Sequence, residues 1–375
     1  METMTQTLTN WKQLTHDLGK LFAARADQHD KYGTFVFQHY EELKAHRYFS
    51  AAVPEELGGG GVSHSEICNI LRIMAQYCGS TALAFSMHQH LVAAANWRYK
   101  HKGEAKPMLQ KVASDQLTLV STGARDWLDS NGEMIKTEGG YLLTAKKQFA
   151  SQSVAGDLAV TSAPYAHPEN GWQVLHFAVP LKAKGVSILD DWDVMGMRAT
   201  GSQTIVFDQV FVPDAAIVLE RPRSGFHPVW DVVLTVAMPI IMSVYVGIAE
   251  KAMEIAVSMG KGYPRNQKHF PYIVGQMNNT LVSARTQWKA MVGLANDLDF
   301  KPATATTVEM VSLKTNVAFA CMETVQRAME AVGGQSMYRK NTLERLFRDV
   351  QGAQFHPIPA WEQFHFTGEK ILEEV

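Results

Sequence analysis

The hydrophobic periodicity of this 375-residue chain changes twice. Up to about Ala113 apolar residues repeat with helical spacing. Leu14, Leu18 and Leu21 fall at i, i+4 and i+7, and Ile67, Ile70, Leu71 and Met74 at i, i+3, i+4 and i+7, so each set lines one face of a helix. A turn at Pro54–Gly61 interrupts them, with Ser63 or Ser65 as the expected cap of the next helix. From about Asp115 to Pro213, short β-branched or aromatic runs alternate with turn residues: Leu117–Thr122, Tyr141–Ala145, Leu158–Ser162, Val174–Val179 and Thr204–Val212. No helical segment lies between them to act as a crossover, which predicts an antiparallel barrel or sandwich and not a parallel sheet. After Pro228 helical spacing returns. Val244, Ile248 and Ile255 share a face of a helix ending near Gly260, and Val311, Ala318, Cys321, Val325, Ala328 and Val332 mark another that stops at Gly333-Gly334. The predicted class is therefore α+β and multidomain. An N-terminal α-helical domain takes residues 1–114, a middle antiparallel β domain, barrel or sandwich, 115–222, and a C-terminal helical domain 223–375.

Composition narrows the function. With 35 basic against 37 acidic residues the net charge is −2, which supplies no basic field for nucleic acid. Three scattered cysteines, Cys68, Cys78 and Cys321, make neither a disulfide framework nor a zinc site. The stretch Met1–Leu14 is polar where a signal peptide needs an apolar run. No uninterrupted run reaches the roughly 18–20 apolar residues that span a bilayer. A cytoplasmic protein without membrane insertion is expected.

Several local patterns carry no chemistry of their own. Gly58–Gly61 has neither the preceding strand nor the following Gly-Lys-Ser/Thr of a phosphate loop, and reads as a structural turn. Gly196–Ser202 runs into a β segment and reads as a polar turn offering hydroxyls, N–H groups and the Arg198 guanidinium to a ligand. Among fourteen histidines, none has metal-ligand spacing: His88 and His90 face different sides of a helix, and His356 and His365 lack a partner. No metal is expected. A Gly-x-Ser-x-Gly elbow is also missing.

Longer motifs identify a family. Val53–Gly61 resembles the Pro-Glu-x-x-Gly-Gly-x-Gly turn of the acyl-CoA dehydrogenase superfamily. Met195–Ser202 followed by Val206–Pro213 is similar to its middle-domain signature, and Gly333-Gly334 with Arg348-Asp349 match its C-terminal helices in order and spacing. Ser80–Ala84 with Met87-His88 is similar to one of its N-terminal helices. The resemblance covers nearly the whole chain and implies the acyl-CoA dehydrogenase fold, its middle domain an antiparallel β-barrel and its C-terminal domain four-helix-bundle-like, with FAD (or FMN) held between the β and C-terminal domains of a homo-oligomer, dimer or tetramer. It implies that Ser121 and Thr122 bond the flavin's pyrimidine edge. It also implies that Phe149, Ala150 and Ser151 pack against the ring, and that Glu330, Gly333 and Gly334 meet the adenosine end of a neighbour's FAD.

The chain departs from the family at three places. The Thr-Glu-Pro-Gly stretch that contacts acyl-CoA is replaced by Thr122–Asp126, and the Arg-x-x-Phe-Gly segment by Tyr263–Gln267. At the two positions where members carry a catalytic glutamate stand Pro357 and Val257. Proton abstraction from an acyl thioester needs a positioned base, and Glu362 is the nearest carboxylate. The resemblance thus implies a flavoprotein dehydrogenase oxidising an acyl-CoA or other small molecule, with an electron-transfer partner or oxygen as acceptor. An alternative is the branch of the same fold that acts as reduced-flavin-dependent monooxygenases, whose histidines His356 and His88 match. A third is a flavin-binding scaffold without turnover.

Overall fold

The computed structural model describes residues 9–122, 129–260 and 269–373. Five helices come first: α1 (Trp11–Tyr32), α2 (Phe37–Ala45), α3 (His64–Ala75), α4 (Gly79–Lys102) and α5 (Lys106–Asp115). Of the two expected caps, Ser63 is the one used: its hydroxyl accepts the Glu66 N–H at 3.2 Å at the start of α3. The turn at Pro54–Gly61 is structural. Gly59 N–H donates to Pro54 O and Gly61 N–H to Val53 O, and a Cβ on Gly59 would lie 2.0 Å from Val53 O. Only glycine fits there.

Strands β1 (Leu119–Ser121), β2 (Glu133–Thr137), β3 (Gly140–Lys147), β4 (Leu158–His167), β5 (Gly171–Pro180), β6 (Val186–Ile188), β7 (Ile205–Pro213) and β8 (Leu219–Pro222) form one sheet. Its order is β6-β7-β3-β2-β4-β5-β8, with β1 beside β4. The expected antiparallel barrel is corrected in two respects. The strand order ends at β6 and β8 without closing, and two pairings are parallel, Leu119–Ser121 with Leu158–Val160 and Met134 with Tyr165. β1 and β2 therefore share one edge of β4. No crossover helix is needed, because the β2–β3 hairpin itself carries the chain from β1 to β4.

The remaining helices are α6 (Val229–Gly260), α7 (His269–Ala295), α8 (Thr304–Val332), α9 (Thr342–Val350) and α10 (Ala360–Glu373). Helix α7 is additional to those expected. Its buried Ile273, Met277, Leu281, Ala284, Trp288, Met291 and Ala295 recur every three or four residues against α6 and α8. By length and composition α6 is apolar enough to cross a membrane, yet 94% of its most apolar window is buried inside the protein. It is the core helix of the bundle. One apolar core runs through both helical regions, and the sheet has its own.

A polar hub joins the three regions. A Cβ on Gly196 would sit 2.1 Å from Arg348 O, so the loop before β7 docks on α9 backbone to backbone. Next to it, Met197 N–H donates to Asp349 Oδ1 at 2.5 Å. The Arg348 guanidinium donates to both Asp30 oxygens on α1 (2.9 and 2.6 Å), to Glu344 (2.7 and 2.8 Å) and to Met195 O (2.8 Å). Two motifs distant in sequence, Met195–Ser202 and Arg348-Asp349, are thus one contact.

Burial pushes the Asp349 carboxyl from 3.8 up to about 6. The folded state keeps this proton longer than the unfolded one, so the group's contribution to stability is full below about pH 4 and is lost as pH rises to about 6. A two-unit shift amounts to at most about 3 kcal/mol. Asp349→Asn keeps an acceptor for Met197 N–H and removes the titration. Thermal melts of that variant should show a flatter dependence of Tm on pH between 4 and 6 than the parent; an unchanged slope would place the titration elsewhere.

Candidate active site

Three elements converge on the loop that follows α9. From α6, the Tyr245 hydroxyl lies 2.5 Å from His356 Nε2. Gly352 makes room for that approach, since a Cβ there would be 2.7 Å from the Tyr245 oxygen. From α8, Lys314 is 1% exposed, and its ammonium donates to His356 O (2.8 Å) and Ile358 O (3.1 Å). From α4 comes His90, itself buried and near His356.

Burial sets the protonation of this cluster. It pushes His356 down to about 3, with the nearby Lys314 charge adding to the effect, and His90 down to about 4. Burial also raises Tyr245 well above the ordinary phenol value and lowers Lys314 to about 8. At neutral pH the pair is then a neutral imidazole and a neutral phenol, able to share a proton in either direction. The residues His90, Tyr245 and Lys314 were not among those expected from the sequence. The available signals were the His-x-His spacing on α4 and a lysine on the apolar stripe of α8.

His88 is corrected to a structural role. It is fully buried, its Nε2 bonds Phe49 O at 2.8 Å and its Nδ1 accepts the Leu119 N–H at 3.1 Å. Both nitrogens are spent on backbone, one tying α4 to the turn at Phe49 and the other tying it to β1. Glu362 lies in the first turn of α10, half-buried, and makes no hydrogen bond or ion pair among the described residues. Its neighbour Trp361 is exposed.

The second cluster belongs to the sheet. Thr122 donates its hydroxyl to Thr161 Oγ1 at 2.6 Å, just beyond the half-buried Ser121 of β1. Ser151 and Ser202 hydroxyls are 2.8 Å apart, Ser202 and Thr200 2.7 Å, and Thr200 donates to Met197 O at 2.9 Å. The Gly196–Ser202 turn is thereby corrected: its Met197 N–H goes to Asp349, and its Arg198 guanidinium to the Asp30 and Val194 carbonyls. Only its hydroxyl end reaches Ser151.

Phe149 stands at the edge of this network. Its backbone is left-handed (φ 58) and its side chain 53% exposed, while Ala150 and Ser151 beside it are buried. Trp192 approaches it edge-on, ring centroids 6.0 Å apart. Phe149 thus displays an aromatic face from a conformation that non-glycine residues adopt rarely. Bare aromatic surface next to buried hydroxyls fits a planar ligand with a polar edge, as a flavin is.

The remaining expected residues lie apart. Gly333 ends α8 with φ +68, and neither Gly333 nor Gly334 has an atom within 4 Å of where a Cβ would stand. Glu330 is exposed and pairs with Arg327 at 2.9 Å. Of the departures noted in the sequence, residues 123–126 and 263–267 lie outside the described residues.

Residues 18–116 match the acyl-CoA dehydrogenase N-terminal domain and residues 240–360 the acyl-CoA dehydrogenase C-terminal domain. A putative acyl-CoA dehydrogenase, YdbM of Bacillus subtilis (strain 168), is 25% identical over 92% of each chain. L-evernosamine nitrososynthase of a Micromonospora species is 28% identical, over 89% of this chain and 82% of that protein. The structure of KijD3 in complex with FMN and dTDP-3-amino-2,3,6-trideoxy-4-keto-3-methyl-D-glucose superposes with a TM-score of 0.87 at 25% identity, covering 98% of this chain and 95% of the other. The chain belongs to the acyl-CoA dehydrogenase superfamily. Within it, the protein is of the flavin-dependent oxidoreductase class.

Gly352→Ala should drive the Tyr245 hydroxyl off His356. Overpacking of this kind costs about 1–3 kcal/mol, whereas Tyr245→Phe, which only deletes the hydrogen bond, should cost about 1 kcal/mol. Urea unfolding of both variants checks the order. Equal stability of the two would mean that the loop gives way without strain.

Proposed function

We propose that the protein is a reduced-flavin-dependent monooxygenase acting on a small heteroatom-bearing molecule. The observation that carries this reading is the hydrogen-bonded pair of buried Tyr245 and half-buried His356. When bound, a reduced flavin supplies the two electrons with which dioxygen is split between substrate and water. The chain's part is to hold and move a proton: His356, kept neutral, offers a ring nitrogen and Tyr245 a phenolic proton behind it. Lys314 pins the loop that presents the imidazole. Thr122, Ser151 and Ser202 offer hydroxyls to the flavin's polar edge, and Phe149 covers its ring. Support also comes from the relatives, since one is named an L-evernosamine nitrososynthase and the KijD3 complex contains FMN with a dTDP-linked amino sugar.

The second reading is an acyl-CoA dehydrogenase with FAD, favoured by the YdbM match over nearly the full chain. It needs a carboxylate base, and Glu362, without a partner, is the one on offer. In either case the open Gly333-Gly334 surface suits a neighbouring subunit completing a cofactor site in a homo-oligomer.

Purified protein given FMN, a flavin reductase and ¹⁸O₂ should label an amine or sulfide from a panel, read by mass spectrometry. His356→Ala should lower that labelling about 10²–10⁴-fold and leave flavin affinity unchanged. Bleaching of bound FAD by an acyl-CoA, abolished by Glu362→Gln, would instead establish the dehydrogenase. Separately, replacing Thr122 and Ser151 together by Ala removes two hydrogen bonds of roughly 0.5–1.5 kcal/mol each, so flavin affinity should fall about five- to a hundredfold. Fluorescence titration measures it, and unchanged affinity would move the flavin off this edge of the sheet.

A further inference from the structure

Gln152 follows directly on Phe149, Ala150 and Ser151. It is 0% exposed and its backbone is left-handed (φ 60). A left-handed non-glycine residue is strained, and a buried amide is costly unless it is bonded. Here every polar group is bonded. The backbone N–H donates to Thr200 O (2.8 Å) and the backbone C=O accepts the Ala155 N–H (3.0 Å). In the side chain, Nε2 donates to Leu119 O (2.8 Å) and Oε1 accepts the Tyr40 hydroxyl (2.5 Å). A carbonyl can only accept, so the amide must turn its nitrogen to Leu119 and its oxygen to Tyr40.

The two segments that Gln152 joins both carry hydroxyls. On one side is β1, three residues long and paired with β4. Side chains hold its start: His88 Nδ1 accepts the Leu119 N–H (3.1 Å), Gln152 takes the Leu119 carbonyl, and Asp157 Oδ2 accepts the Thr118 N–H (2.8 Å). The strand ends at Ser121, with Thr122 next. On the other side is the turn of Phe149–Ser151, stitched to residues 200–203 by Ala150 N–H to Gln203 O (3.3 Å) and by the Ser151 and Ser202 hydroxyls (2.8 Å). Behind the amide stands Tyr40 of α2, 2% exposed, with the rings of Phe35 and Phe49 edge-on at 4.8 and 5.4 Å. Gln152 thus ties strand, turn and N-terminal helix together through one side chain.

We propose that Gln152 is a positioning residue for the flavin: its amide fixes the separation between β1, with Ser121 and Thr122 at its end, and the turn bearing Phe149 and Ser151, so that hydroxyls from both reach one ligand edge. This rests on the flavin edge proposed above and holds for either reaction there. Gln152 is sealed from solvent and acts only through the segments it joins. Hydrogen bonds weaken steeply as their angle departs from linear, so a small slip of β1 against the turn would leave Thr122 and Ser151 unable to serve the same ligand together. Tyr40 fixes the amide in turn, so the N-terminal helices back the cofactor edge from behind.

The test uses the full-length protein, FMN as the probe, and titrations well below each variant's melting temperature. Gln152→Met, close in volume and without the amide, should weaken FMN about ten- to a hundredfold. Thr122→Ala should weaken FMN in the parent but by less than about twofold in the Gln152→Met background, because a hydroxyl already out of line has little left to lose. Should Gln152→Met fail to fold, Tyr40→Phe, which removes only the donor to Oε1, should weaken FMN about two- to tenfold and reduce the Thr122→Ala effect in the same sense. Unchanged affinity in the folded variants would overturn the proposal. So would an equal Thr122→Ala effect with and without the amide, since Gln152 would then act through general stability alone. Hydrogen exchange of the flavin-free protein reads the scaffold separately: Gln152→Met should speed exchange at residues 118–122 and 149–152 and leave α6 and α8 as they were, and unchanged exchange would show that the amide does not hold the strand. If exchange responds but Thr122→Ala has no effect in the parent, the flavin edge itself is misplaced and the positioning role falls with it.

Discussion

Arg348 and Asp349 sit where three parts of the chain meet, and the placement of everything else follows from how that meeting is satisfied. Arg348 is closed in by Asp30, Glu344 and a carbonyl of the middle region, so its charge is answered by two carboxylates and a carbonyl. Asp349 takes the Met197 N–H, and its other oxygen lies 3.5 Å from where a Cβ of Gly79 would be, at the first residue of α4. A buried charge pair of this kind adds little net stability, but deleting one member leaves the other stranded. Its effect is on geometry. The sheet, the N-terminal helices and the bundle are held in one relation, with the start of α4 beside Asp349.

Fixing α4 fixes the chemistry. One turn of that helix points His88 at Phe49 and Leu119 and Gln89 at Tyr48 O, and buries His90 near His356. Three adjacent polar residues thus serve three different surroundings. Desolvation then makes the histidines neutral, and a neutral imidazole beside an un-ionised phenol is suited to passing a proton and unsuited to holding an anion. The hydroxyl chain from Ser151 through Ser202 to Thr200 ends on Met197, so the candidate flavin edge is anchored to the same hub.

Much of this was legible in the residues. The helix–sheet–helix order came from periodicity, the Ser63 cap and the Gly333 stop from end signals, and the family from motifs spread over the chain. Helix α7 was equally legible, since Ile273 to Ala295 keep one face apolar, but polar residues between them masked the pattern. The parallel pairing of β1 with β4 was not legible: strand direction depends on which edge a returning chain finds, and no local spacing records that. Of the two candidate histidines, His356 met Tyr245 and His88 met only backbone. Sequence spacing ranked them alike, because a histidine's role is decided by what its second nitrogen touches.

The sequence by itself determined the elements and their kind: where apolar residues repeat at three and four, where they alternate, and where glycine alone can turn the chain. Those are local consequences of backbone sterics and side-chain period. Tertiary structure decided which groups are alone and which are paired. Lys314 and Tyr245 are unremarked residues of two long helices until packing sets them on either side of the same loop, and Arg198 looks available until the Asp30 carbonyl takes its Nε–H and the Val194 carbonyl an Nη1–H. Desolvation and hydrogen-bond pairing are properties of a residue's neighbours in space, and the order of the chain does not contain them.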